Sequence, residues 1–425
     1  MKKIITFTLI GIFINSYSQF KIDIEAPEDF TAKEVYIYTL DGSKDVFNLK
    51  QNKKGNSWNI NIAKPYTGMM KAYFPETGSS ASFISVNQDV KFSLIIKNDK
   101  IYDVDIQDKA NKVMNAAQDI LQKKEYILPV LYQIGEYYKN DSEFGNALNK
   151  EIKNLTTNNP DIAEYPFIEY YVNNYDKYLG KNEKKNSTED LSNFIIKSNE
   201  WLETSALMRP ILIAHLNSGP AEKVTQRVDA LLSDADIETS RGQNVLSELV
   251  EIFNAYGMED LKNKYLAQAD NLKCTINEKL SSTIKNYKNT EIGAKLQNYK
   301  FINPSNTKAK DVYGVKADKK IIMFWASTCS HCEKEIPELL EKYSDMKKQN
   351  IEIIGFSLDT DKTSYENKRK DLPWIVDSEL QGWYSTYSDM YNVHATPSYF
   401  ILDADNTILD IPIHASNVLE FLKLK

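Results

Sequence analysis

The chain has 425 residues, 42% hydrophobic and 26% charged, with 52 Lys and Arg against 59 Asp and Glu for a formal charge of -7. These are ordinary globular proportions over a length that calls for two or three domains rather than one core. The acidic balance, without a clustered basic stretch, argues against nucleic acid as a partner.

Residues 1–18 carry Lys2 and Lys3, an apolar run over 4–14, and then small Ser16 and Ser18. This is the pattern of a signal peptide, too short for a membrane span. No cysteine follows the run, which argues against a lipid anchor there, and no later stretch is long and apolar enough to cross a bilayer. The expectation is export to the periplasm, with secretion or cell-envelope association as the alternative, where disulfides persist.

Over 19–106 the apolar residues recur with period two, as in Phe20, Ile22, Ile24, in Trp58, Ile60, Ile62, and in Val90, Phe92, Leu94, Ile96. Turn signals such as Asp41-Gly42 and Lys54-Gly55-Asn56 separate the runs. An antiparallel β-sandwich follows, with one solvated face per sheet. From 107 to 290 the period becomes helical. Val113, Ala116, Ala117, Ile120 and Leu121 continue into Leu128, Leu131, Ile134 and Tyr138 as one face, and Ser187 with Asp190 stands in capping-box position before Leu191, Phe194 and Ile195. This middle α-helical domain reads as a docking or spacing element. His215 lies among Ile211, Leu212 and Ile213 and reads as a packing residue, and Cys274 lies off the apolar face of its helix with no assigned role.

The Lys- and Asn-rich stretch 285–298 reads as helix end and linker into a C-terminal unit over 291–425. There, short strand-like pieces at 299–303 and 312–315 precede the apolar run Ile321-Ile322-Met323-Phe324-Trp325. An amphipathic run with Leu339, Leu340, Tyr343 and Met346 at helical spacing comes next, so Cys329-Ser330-His331-Cys332 falls between a strand and a helix. A sulfur there meets unpaired backbone N–H groups and the positive end of the helix dipole, which favour a thiolate. Protonated His331 adds to the effect, lowering the pKa from about 8.5 towards the 3.5 to 7.5 seen in such loops. Other readings of C-x-x-C are weaker. Zinc wants about four ligands, and no second Cys or His pair accompanies this one. Haem attachment wants a His after the second cysteine, where Glu333 stands. A static disulfide remains open, but it closes too short a loop to constrain the unfolded chain.

Phe324-Trp325-Ala326-Ser327 before the first cysteine, Glu335 three residues after the second, Pro337, and Ala395-Thr396-Pro397-Ser398-Tyr399-Phe400 downstream together resemble the thioredoxin-like thiol-disulfide oxidoreductases, in particular the extracytoplasmic TlpA and ResA branch. The resemblance covers about the last 130 residues; Thr328 and Ser330-His331 depart from the usual Trp and Pro-containing dipeptide. It implies a C-terminal α/β thioredoxin fold, with Ile351 to Phe356 as the next parallel strand, a helix over 361–371, a strand over 374–377, a helix over 382–391, a hairpin of 399–402 with 407–411, and a last helix capped by Ser416. It also implies Cys329 as nucleophile, Cys332 as resolving thiol, and Glu335 as the group that tunes the Cys332 proton. Pro397 would be cis, and Thr396 and Trp325 would meet the substrate. Protein disulfides are then the substrates and an upstream dithiol the electron donor, a membrane protein being one candidate, with no cofactor or metal. Ala326 stands where a peroxiredoxin needs Thr. Oxidase or isomerase activity, and partner binding with an incidental redox module, stay open.

Overall fold

A computed structural model describes residues 20–139, 141–157, 161–180, 186–272 and 275–424. The expected signal peptide and Cys274 lie outside the described residues. The architecture is multidomain: a strand-rich N-terminal part, a helical middle and a C-terminal α/β domain.

The N-terminal part has eight strands: β1 (Phe20–Glu25), β2 (Glu34–Asp41), β3 (Lys44–Asn52), β4 (Ser57–Ile62), β5 (Thr67–Phe74), β6 (Ser79–Val86), β7 (Val90–Lys97) and β8 (Lys100–Ile106). They form two four-stranded sheets, ordered β4-β1-β7-β8 and β3-β2-β5-β6. Period-two burial aims Phe20, Ile22, Ile24, Trp58, Phe74 and Phe92 into one core. One pairing departs from the antiparallel expectation, since β1 runs parallel to β7 with Ile22 opposite Val90. The cause is connectivity. The chain leaves to build β5 and β6 in the other sheet and returns beside β1 in the same direction.

The helical middle runs through α1 (Lys109–Gln122), α2 (Leu128–Gly135), α3 (Glu143–Thr157), α4 (Pro166–Tyr178), α5 (Thr188–Lys197), α6 (Trp201–Thr204), α7 (Met208–Leu216), α8 (Val224–Ala235), α9 (Ser240–Ala255), α10 (Glu259–Asp270) and α11 (Glu278–Lys288). The Ser187–Asp190 capping box forms, and α9 is the hub, with Val245, Leu246, Leu249, Val250 and Phe253 fully buried. The long face expected from Val113 to Tyr138 does not. A π-helical turn at Lys123–Ile127 separates α1 from α2, which buries no residue completely. The wider turn rotates the second half away from the first, so the two apolar stripes do not add. His215 is buried as a packing residue, its Nε2 3.0 Å from the Ser192 hydroxyl.

In the C-terminal domain β9 (Lys319–Trp325) leads through a turn to α12 (Ser330–Lys348). Next come β10 (Ile351–Ser357), α13 (Lys362–Arg369), β11 (Ile375–Asp377), α14 (Thr386–Met390), β12 (Ser398–Asp403), β13 (Ile408–Asp410) and α15 (Ala415–Phe421). The sheet order is β11-β10-β9-β12-β13, with β9, β10 and β11 parallel and β12 and β13 antiparallel. β9 is apolar almost throughout because both its faces are covered. Ile321, Met323 and Trp325 face α12 and α15, while Ile322 and Phe324 face Tyr299, Tyr387 and Tyr391. Residues 299–303 and 312–315 form no strands; they hold one end of an isolated bridge, Lys300 to Asp311, and a 3-10 turn at Val312–Gly314. The helix expected over 382–391 is a 3-10 turn at Gly382–Tyr384 followed by the five-residue α14.

The three parts pack against one another. Gly42, at φ +66°, turns the β2–β3 hairpin so tightly onto the helices that a Cβ there would lie 2.2 Å from Glu248 Oε1. Ser43 N–H and hydroxyl donate to that carboxylate, as do Lys279 at 2.8 Å and Arg209 at 3.1 Å. Tyr384 of the C-terminal domain reaches the β-sandwich, donating to Asp45 at 2.7 Å and accepting from Lys71 at 2.9 Å.

Candidate active site

The site begins where β9 ends. Cys329 is the N-cap of α12 with extended backbone, and its sulfur accepts the Cys332 N–H at 3.2 Å. A sulfur thus occupies the place where Ser or Asp caps other helices, and the orphan amides that favour an oxygen there favour a thiolate equally. Cys332, one turn on, is 1% exposed, whereas Cys329 is half-buried. The Cys332 thiol lies 2.6 Å from Cys329 Sγ, and both cysteines are free. From the other side, the Cys329 thiol lies 3.3 Å from the Thr396 carbonyl, and the Thr396–Pro397 peptide is cis. The structure therefore brings Cys329, Cys332, Thr396 and Pro397 together.

Their electrostatics are unequal. Burial pushes the Cys329 thiol up, but hydrogen bonds from the Cys332 thiol, from the Thr396 side chain and from the Cys332 and His331 backbone outweigh it and hold the thiol below its ordinary value. Burial pushes the Cys332 thiol far up, and its hydrogen bond to Cys329 adds to this. One sulfur ionises more readily than a free thiol and the other holds its proton more tightly, the division of labour that thiol-disulfide exchange needs.

Three predicted residues take places other than those expected. His331 contributes its backbone amide to Cys329, while its side chain is exposed. Trp325 is fully buried and packs 6.3 Å from the Tyr365 ring, close to Gly355. A side chain with no exposed surface cannot touch a client, so Trp325 supports the strand from behind. Glu335 bonds to neither sulfur. Its Oε2 accepts from the Tyr399 hydroxyl at 2.9 Å and the Ala415 N–H at 2.8 Å, and its Oε1 lies 3.0 Å from His414 Nδ1. This also explains why Ser416 is no cap. α15 starts two residues earlier than that cap would place it, with His414 at the N-cap, and its first amide is satisfied across the domain by the Glu335 carboxylate.

Sequence reasoning missed Asp359 and gave Tyr399 and His414 no role. Asp359 is 4% exposed, takes the Ser327 N–H at 3.0 Å and hydroxyl at 2.6 Å, and takes the Ser357 hydroxyl at 2.6 Å. It thereby fixes the turn two residues before Cys329. A carboxylate just after a buried strand, with Ser before the first cysteine, is the signal that could have suggested it.

This fold and this cysteine pair define a thioredoxin-like domain. Residues 318–408 match the thioredoxin-like family model. The chain is 23% identical over 111 residues to the thiol-disulfide oxidoreductase ResA of Bacillus subtilis, covering 25% of this chain and 59% of that protein. It is 29% identical over 92 residues to ResA of Geobacillus kaustophilus, covering 21% and 50%. The matches thus span between half and two thirds of those relatives' own length. Among solved structures, the thioredoxin domain of a thiol-disulfide oxidoreductase from Bacteroides vulgatus aligns with 31% of this chain and 96% of its own, at 18% identity and a TM-score of 0.29.

Proposed function

We propose that this protein is an exported thiol-disulfide oxidoreductase that reduces disulfides in protein clients. The Cys329 thiolate attacks a client disulfide, joining one client sulfur and releasing the other as a thiolate that takes a proton from solvent. Cys332 then gives up its proton and attacks Cys329 Sγ. The Cys329–Cys332 bond forms, the mixed disulfide breaks, and the second client sulfur leaves as a thiolate. Two electrons have passed from the dithiol to the client, and an upstream dithiol donor restores the pair. The cis-Pro397 loop beside Cys329 is the surface on which an extended client segment would lie.

The observation that carries this reading is the asymmetry of two free sulfurs 2.6 Å apart, one half-buried and acidified, the other buried and hard to ionise. Export rests on the pattern of residues 1–18, and the reducing direction on the resemblance to ResA. In a disulfide-reduction assay Cys329→Ser abolishes activity, and Cys332→Ser accumulates a covalent Cys329–client species. Full activity in both variants rejects the reading. The potential of the couple fixes the direction: a value near about -270 mV suits a reductase and one near about -120 mV an oxidant.

A further inference from the structure

We infer that Tyr399 is a positioning residue for the second step of this exchange, fixing the Glu335 carboxylate one helical turn beyond the buried Cys332. The inference rests on the dithiol reading above.

In that step a thiol that resists ionisation must lose its proton before it can attack. Glu335 is the carboxylate one turn beyond Cys332 on α12, a spacing that puts both on one face. A glutamate side chain is long and loses rotamer freedom when held, so its usefulness as a base depends on what fixes it. The structure supplies three holders from two elements outside α12. Tyr399, on β12 opposite Met323 of β9, gives its hydroxyl to Oε2; Ala415 gives its N–H to the same oxygen; His414 meets Oε1 from the more open side.

Ala415 shares the Cys332 environment too but offers only its backbone N–H, so Tyr399 is the one of the two side-chain holders that packs there. Tyr399 and Cys332 belong to one buried cluster, with Tyr399 1% exposed. Burial first, and then the nearby Glu335 and Cys332, push the phenol far above its ordinary value, so it remains a neutral donor throughout the working pH range. The ionisable groups acting on this phenol are Glu335, Cys332 and Glu338 of α12; His414 faces Glu335 from the loop before α15. The strand and the helix thus divide one task. The helix carries the base and the strand aims it.

The step balances without further reactants. The Cys332 proton passes to Glu335 directly or through water, the Cys332–Cys329 bond forms as the client–Cys329 bond breaks, and the departing client thiolate is protonated from solvent. Nothing here requires Tyr399 to ionise.

The test is rapid mixing of the reduced full-length chain with a disulfide-bearing peptide, resolving formation of the mixed disulfide from release of the second peptide thiol. Tyr399→Phe removes one oxygen. The expected result is an unchanged first phase, a release phase slowed about tenfold or more, as befits one lost hydrogen bond to a charged group, and an acid limb of the release profile moved to higher pH. Glu335→Gln slows release as well, and the double variant is no slower than Glu335→Gln alone. A Tyr399→Phe release phase that superimposes on the parent's at every pH overturns the inference, as do losses that multiply in the double variant. If Tyr399→Phe unfolds, 4-fluorophenylalanine incorporated in place of Tyr399 decides, since it fills the place of the hydroxyl without donating a hydrogen bond: slowed release with an intact first phase supports the inference, and unchanged release overturns it. A parent chain that forms no mixed disulfide at all overturns the dithiol reading itself, and this inference with it.

Discussion

Asp359 offers a perturbation away from both sulfurs whose cost can be worked from its surroundings. Its carboxylate is buried and accepts the Ser327 N–H, the Ser327 hydroxyl and the Ser357 hydroxyl. Asp359→Ala deletes three charge-assisted bonds. Ser357 is fully buried, and its hydroxyl still accepts the backbone N–H of position 359 but loses the acceptor for its own hydrogen, which costs about 1–3 kcal/mol. Ser327 is half-buried, so water recovers part of its loss and adds only about 1 kcal/mol. The sum is a destabilisation of about 2–4 kcal/mol, measurable by urea unfolding. The functional effect is more specific. Freed of its anchor, the turn before Cys329 no longer sets the α12 N-cap, so alkylation of Cys329 at neutral pH slows even under conditions where the variant is folded. Asp359→Asn turns at least one donor towards a donor and falls between Ala and the parent. Stability within about 0.5 kcal/mol of the parent, the scatter of ordinary surface substitutions, together with unchanged Cys329 reactivity in both variants, refutes the argument.

Other expectations follow from the interfaces and buried charges. Tyr384→Phe removes the link to Asp45 and Lys71 and costs about 1–3 kcal/mol, read as earlier proteolysis between the β-sandwich and the C-terminal domain. Glu248 is opposed by its burial, but Lys279, Arg209 and the Ser43 N–H hold it below the usual carboxylate range. Its folded value being depressed, the stability it contributes is present above the unfolded value of about 4.3 and is lost as pH falls through the folded one. Glu248→Gln leaves Lys279, 8% exposed, with Asp41 as its remaining partner, at a cost of about 1.5–3 kcal/mol in urea titration at pH 7. His215 runs through a different window, because burial, followed by the Arg227 charge, lowers it to about 4. Above about pH 6.5 it is neutral folded or unfolded; between there and its folded value only the unfolded chain takes the proton, so stability falls by about 3 kcal/mol. His215→Phe should flatten that segment of the pH–stability curve, and an unchanged segment contradicts the assignment.

Much of this was legible in the residues because the physics was local. Period two in Phe20, Ile22 and Ile24 needs no partner to be seen, and neither does the Ser187–Asp190 cap or a strand-turn-helix with two cysteines in the turn. What escaped was tertiary. The parallel pairing of β1 and β7 depends on where β5 and β6 go, and nothing in the β1 residues records it. Lys123–Ile127 reads as continuous helix, since a π-turn changes the face without changing the composition. Trp325 is placed against the client by the resemblance, while strand alternation and the covering α12 bury it. Glu335 is singled out by the resemblance, but its partners Tyr399, His414 and Ala415 lie 64 to 80 residues away, so nothing local shows its fixed orientation. Asp359, 32 residues from Ser327, escaped in the same way.

The central claim is that two neighbouring sulfurs have been made chemically unequal. Mass-resolved alkylation of the reduced chain across pH tests it most directly, because each cysteine reports separately. The account predicts that Cys329 reacts with a midpoint below the value of about 8.5 for a free thiol while Cys332 stays unmodified until well above it. A Cys329 midpoint at or above the free-thiol value, or two cysteines that titrate together, would contradict it.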